Sequence, residues 1–234
     1  MTNSELETTT NETFILRALD KALKVQAPLA AAHVARLRRK SPGSSPPEIL
    51  RRLNNEFRAS TVTTGAGVGA AAAAPGVGTG VAISLSGGEF VTFLGATALY
   101  VLARGEVHGI RTADVERQRL LVTAILLGQS ANRAIPVVAE RTGQHWAKAV
   151  VKSIPMSSVR QVNRVLGRSF VTKYGSKQGI IVLGKVAPFG IGAVIGGTVN
   201  GVISQGIIRA SNAAFGPIPS SWDGSVADDD VIDV

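Results

Sequence analysis

The sequence predicts an all-α protein, a helical bundle with Gly/Ala-rich helical hairpins at its centre. Apolar residues recur at helical spacing over most of the chain, and Ser/Pro/Glu patterns mark where helices start. Two long stretches, Ala59 to Ser86 and Val186 to Ile208, carry no ionisable side chain. Only 5% of the residues are aromatic against 45% hydrophobic, so the core must be built from Ala, Val, Ile, Leu and Gly. Such composition favours closely approaching helices. The expected organisation is a disordered polar tail over 1–12, one α-helical domain over 13–216, and an acidic disordered tail over 217–234.

The first helix is expected from Thr13, with Ile15, Leu19 and Leu23 falling one per turn and Pro28 kinking or restarting it. It leads into the cluster Arg36, Arg38, Arg39 and Lys40, then a Pro/Ser/Gly loop. Those charges suit a helix C-terminus and also form a candidate anionic-surface contact. A capping box follows, with Ser45 as cap, Pro46 at the first helical position and Glu48 three residues on. Ile49, Leu53 and Phe57 make the buried stripe of that helix.

Beyond Arg58 the charge-free run is divided at Pro75. Gly65 with Gly69, and Gly76 with Gly80, have the small-xxx-small spacing that permits close helix approach. The glycines around Pro75 do not make a phosphate loop, since no GK[ST] ending and no preceding strand accompany them. Ser86-Gly-Gly-Glu89 reads as a second capping box that opens a helix near Gly87, and capping accounts for Glu89 more simply than catalysis does. Glu106 and His108 fall at that helix's end. Thr112 or Ala113 precedes a helix with Asp114 and Glu116 in its first turn. Trp146 is expected as a partly buried anchor. Ser157 or Ser158 should cap a helix with Val159, Val162, Val165 or Leu166, and Phe170 inward.

On the outer side of that helix Arg160, Arg164 and Arg168 stand at i, i+4 and i+8, a basic ridge that Lys173 and Lys177 would extend. Like charges at this spacing oppose helix formation by about 0.3 kcal/mol a pair, which points to a compensating anion. The last helix contains the charge-free stretch Val186 to Ile208, with Pro188 kinking or starting it and Phe215-Gly216-Pro217 ending it. That stretch is long enough for a bilayer, at roughly 35 Å. Its Gly192, Gly196, Gly197 and Gly201, with Asn200, read instead as a packing face for another helix, the partner expected in the segments around Pro75.

Charge is unevenly distributed. All 25 lysines and arginines lie at or before Arg209, while five of the 16 acids lie between Asp223 and Val234. The body therefore sets 25 basic residues against 11 acidic ones, a formal +14 that favours a polyanionic neighbour. Cysteine is absent, which excludes disulfides and thiol chemistry. Three scattered histidines lack metal-ligand spacing, no GxSxG, HExxH or complete P-loop occurs, and no cofactor is expected. The polar N-terminus has no hydrophobic run of a secretory signal, so a cytoplasmic location is expected.

Two blocks resemble the EcsC-type family of bacterial proteins. One is AAAPGVGTGVAISLSGGEFVTFLGATALYVLARGEVHG, residues 72–109, a Pro-Gly break, a helix, and a closing His-Gly. The other, residues 186–215, is similar to that family's terminal Pro-x-x-G-x-x-x-G-G-x-x-N helix through Pro188, Gly192, Gly196, Gly197 and Asn200. The resemblance implies an α-helical, membrane-associated protein with an accessory role beside a transport or envelope system, because the name-giving member is encoded with an ABC transporter. It supplies no catalytic residues and does not cover residues 110–180 or the acidic tail. The expected function is thus non-enzymatic attachment to the cytoplasmic face of the membrane, the partner being its anionic surface or a membrane protein complex. The alternatives are a basic nucleic-acid-binding protein, or an enzyme without recognisable motifs. A further expectation is that the acidic tail folds back on the basic ridge.

Overall fold

The computed structural model describes the backbone of residues 3–72, 79–128, 131, 145–185 and 191–222, and side-chain surroundings within 16–64, 88, 90–128, 131, 145–173 and 200–222. The protein is all-α, with no strand among the described residues. Its helices are α1 (Asn3–Lys40), α2 (Pro46–Ala72), α3 (Thr79–Val107), α4 (Val115–Leu127), α5 (Trp146–Lys152), α6 (Met156–Lys185) and α7 (Ile191–Phe215).

Helix α1 opens at Asn3, so the stretch to residue 12 expected as a disordered tail is helical from that point. Glu5 and Glu7 suit the positive end of the helix dipole, and extending a helix already nucleated from Thr13 is easier than starting one. The helix also passes through Pro28 without ending. Pro28 lies on the exposed face, where water can reach the carbonyl whose partner N–H proline lacks. Inward, Ala18, Leu19, Ala22, Leu23, Ala30, Val34 and Leu37 are buried.

The start of α2 bears out the Ser45–Glu48 pattern. The Glu48 carboxylate accepts from the Ser45 backbone N–H at 2.8 Å and from its hydroxyl at 3.1 Å. Those bonds, the backbone one first, hold the Glu48 carboxyl below its usual range. The second expected capping box is not a boundary. Ser86 to Glu89 lie inside α3, which starts at Thr79, because the apolar residues on both sides let the backbone propagate through the two glycines. The Glu89 side chain falls outside the described residues.

Glycine decides how α3 ends. Gly109 takes φ +66°, with the Ile110 N–H donating to Gly105 O at 2.8 Å and the Gly109 N–H to Glu106 O at 3.2 Å, a Schellman closure. A Cβ on Gly105 would lie 2.7 Å from Ile110 O, so the closure requires glycine at both places. Asp114, expected one position further in, is itself the cap of α4 and accepts from the Arg117 N–H. Ser157 and Ser158 likewise lie inside the first turn of α6, which starts after Pro155.

Cross-contacts set the helix directions. His33 pairs with Glu56 between α1 and α2, Asn54 with Tyr100 between α2 and α3, and Asn200 with Thr61 between α7 and α2. With Arg104 on Asn212 as well, α2 runs opposite to α1, α3 and α7. The C-termini of α1, α3 and α7 therefore meet the start of α2 at one end of the bundle. A second pair, α4 with α6, is parallel in constant register, Asn163 reaching Glu116 and Lys173 reaching Leu126. Helix α3 lies between these parts, with Leu94, Ala98, Val101 and Ala103 fully buried.

Candidate functional site

Helix α7 pairs with α2 more extensively than any other two helices pair, and the described part of this contact runs through Asn200 and Gly201. Asn200 Nδ2 donates to Thr61 O at 3.0 Å, and a Cβ on Gly201 would sit 3.6 Å from Val62 Cγ2. That is ordinary contact distance, so alanine would fit at Gly201. Gly65 and Gly69 fall in α2, Gly80 in α3, and Gly192, Gly196 and Gly197 in α7. The surroundings of those six, and Gly76 altogether, lie outside the described residues.

The ridge on α6 is the more informative feature. Val159, Leu166 and Phe170 are fully buried, leaving Arg160, Arg164 and Arg168 exposed on the other side. None of the three has an acidic partner or hydrogen bond among the described residues, whereas Arg111, Arg119 and His33 all find carboxylates. Val165 is exposed, which settles the inward position in favour of Leu166. Lys173 does not extend the ridge. Its ammonium turns inward and donates to Leu126 O and Leu127 O at 2.9 Å each, closing the C-terminus of α4. The side chain of Lys177 lies outside the described residues.

The basic end of α1 is a separate surface. Leu16 of α1 lies 3.7 Å from where a Cβ on Gly167 would be, so the ridge borders the beginning of the described part of α1. Arg38 is 22 residues further on, about 33 Å along a helix. The members of this cluster also differ from one another. Arg36 donates to His33 Nδ1 at 2.9 Å, and His33 Nε2 meets Glu56 at 2.8 Å. The Arg38 guanidinium lies 4.1 Å above the Trp222 ring. Arg39 and Lys40 are exposed with no partner among the described residues.

One feature had only a faint sequence signal. Tyr100 and Arg104 on α3 and His108 just past its end stand at i, i+4 and i+8, and all three are buried, Arg104 being only 1% exposed. The Arg104 guanidinium donates to Asn212 Oδ1 at 2.7 Å and Tyr100 Oη at 3.2 Å, and lies 5.6 Å from the Phe215 ring centre. Tyr100 stacks on Phe57 at 4.6 Å and bonds Asn54 at 2.8 Å. Burial raises the Tyr100 hydroxyl above its ordinary value, against the opposing Arg104 charge. Burial, then Arg104, pushes the His108 imidazole down to about 4. His108 was expected at an exposed helix end; Phe215 of α7 covers it instead, ring centres 5.2 Å apart. No carboxylate pairs with Arg104 among the described residues.

The compensation is dipolar. Arg104 sits in the last turn of α3 against the last turn of α7, two helix ends that favour a cation. The same ends disfavour an anion, so the arginine works as a pin between α3 and α7. The sequence offered only an isolated arginine closing an apolar helix. Its burial depends on α7, more than 100 residues away.

No group of three or more metal-ligating side chains occurs among the described residues. No family model, curated protein or solved structure matches the chain.

Proposed function

We propose that this is a non-enzymatic helical protein that attaches to an anionic membrane surface, at the cytoplasmic face, as an accessory to a transport or envelope complex. The observation that carries the reading is the ridge Arg160, Arg164 and Arg168, three exposed cations on one helix face with no acidic partner among the described residues. Facing an anionic bilayer, each contributes roughly 1 kcal/mol. The EcsC-like blocks favour the same setting, and the spacing of Gly65 and Gly69 in α2 and of Gly192, Gly196 and Gly197 in α7 is the basis for proposing a glycine-zipper core between those two helices.

Peripheral attachment is favoured over spanning. Among the described residues one helical window, Phe90–Val107 of α3, is long and apolar enough to cross a bilayer. It is 61% buried inside the protein and contains the pinned Arg104 in its last turn, as suits a core helix.

Fractionation with salt and carbonate washes, followed by vesicle binding, tests this. We expect release by salt, binding to phosphatidylserine vesicles but not to phosphatidylcholine alone, and a loss of roughly 30-fold or more when all three ridge arginines become glutamine. A wholly soluble protein that binds DNA and ignores the vesicles would overturn the reading.

A further inference from the structure

The segment after α7 does not leave the protein. Gly216, at φ +76°, closes α7 with its N–H on Asn212 O at 3.0 Å, and a Cβ there would lie 2.5 Å from His145 Cγ. Pro217 and Pro219 restrict the strap that follows, reducing the entropy lost on fixing it. It ends at Trp222, whose indole N–H donates to Ser44 O at 2.7 Å while Arg38 covers the ring at 4.1 Å. Pro217–Trp222 was expected in the acidic disordered tail. It is docked instead because the end of α7 and the α1–α2 loop share one end of the bundle.

Trp222 is also where the charge of the chain changes sign. Asp223 follows directly, and Asp228, Asp229, Asp230 and Asp233 come within eleven residues of Trp222. An extended chain covers at most about 3.5 Å per residue, so all five acids remain within about 40 Å of the indole. Arg38 covers the ring, and Arg39 and Lys40, next to it at the end of α1, have no partner among the described residues. Tethering by so short a segment gives an effective concentration in the millimolar range, enough for a weak charge contact to persist. The Arg168 end of the ridge lies beside Leu16, about 33 Å along α1 from Arg38, so the anchored segment bears on the α1 cluster first.

We propose that the Trp222 strap holds the acidic segment 223–234 against the basic end of α1, where it competes with anionic lipid for Arg38, Arg39 and Lys40. The competition rests on the membrane reading above; the contact does not. The strap thus leaves the α6 ridge free as the standing attachment surface and makes the α1 end a second, masked one.

Two measurements on the full chain and its variants test this. Zero-length carbodiimide cross-linking, read by mass spectrometry, should join Lys40 to an aspartate of 223–234, and Trp222→Ala should lower that yield several-fold. No such cross-link, or an equal yield in Trp222→Ala, overturns the contact. In the second, the chain ending at Trp222 should bind phosphatidylserine vesicles at least about fivefold more tightly at low salt, the gain from one freed basic side chain, and the gain should vanish at high salt. Equal affinity, with the full chain binding, overturns the competition alone. Binding by neither chain overturns the competition and the membrane reading together, and the cross-link still decides the contact.

Discussion

Replacing Arg104 by methionine should leave the protein nearly as stable as it is, whereas alanine at the same position should damage it. The charge-assisted bond to Asn212 contributes roughly 1.5–3 kcal/mol and the Tyr100 bond about 1 kcal/mol. Phe215 adds about 1–2 kcal/mol. The two helix ends together contribute up to about 2 kcal/mol. Against these stands the desolvation of a guanidinium, several kcal/mol even after relaxation. The terms nearly cancel, and methionine keeps most of the volume. It also orphans little. Tyr100 retains its bond to Asn54, and Asn212 is exposed enough for water to replace the lost donor. Arg104→Met should therefore change stability by less than about 1.5 kcal/mol, and Arg104→Ala, which leaves a cavity beneath Phe215, should cost about 2–5 kcal/mol. For a domain of this size the alanine variant should melt roughly 5–15 °C lower. Urea unfolding followed by far-UV circular dichroism reads both. If methionine is as harmful as alanine, the charge itself is required, and the account of Arg104 as a pin held by neutral groups is refuted.

Further predictions follow from particular atoms. The His108 pKa is lowered from 6.5 to about 4 in the folded state, so the stability owed to its neutral form is complete above pH 6.5 and is lost as pH falls towards 4. Unfolding free energies at pH 7 and pH 5 should differ less in His108→Gln than in the wild type; an unchanged pH slope would remove His108 from the account. Gly206 is exposed within α7 with nothing within 4 Å of a Cβ, so Gly206→Ala should raise stability by roughly 0.5–1 kcal/mol. The same change at Gly105 should lower the melting temperature instead, because the new methyl meets Ile110 O. Lys173→Met should cost about 1–3 kcal/mol by stranding the last carbonyls of α4, with Lys173→Arg restoring part of it.

The sequence determined by itself what depends on neighbours along the chain. Helical class, the start of α2 at Ser45–Glu48, the inward placing of Val159 and Phe170 and the exposed ridge on the same helix follow from spacing and capping within a few turns, while the choice between Val165 and Leu166 waited for the packing. Local reasoning failed where propagation outweighed a start signal, at Ser86–Glu89. It failed again where burial depended on distant partners. Lys173 belongs to the ridge by spacing but closes α4, because α6 lies parallel to α4 in the register that brings its ammonium to the Leu126 and Leu127 carbonyls. His108 and Arg104 look like a polar helix end until α7 covers them. The two basic clusters, alike in composition, became different surfaces only when the fold set them apart and brought Trp222 onto one. Charge and periodicity are properties of a segment, whereas which charges are free is a property of the packing.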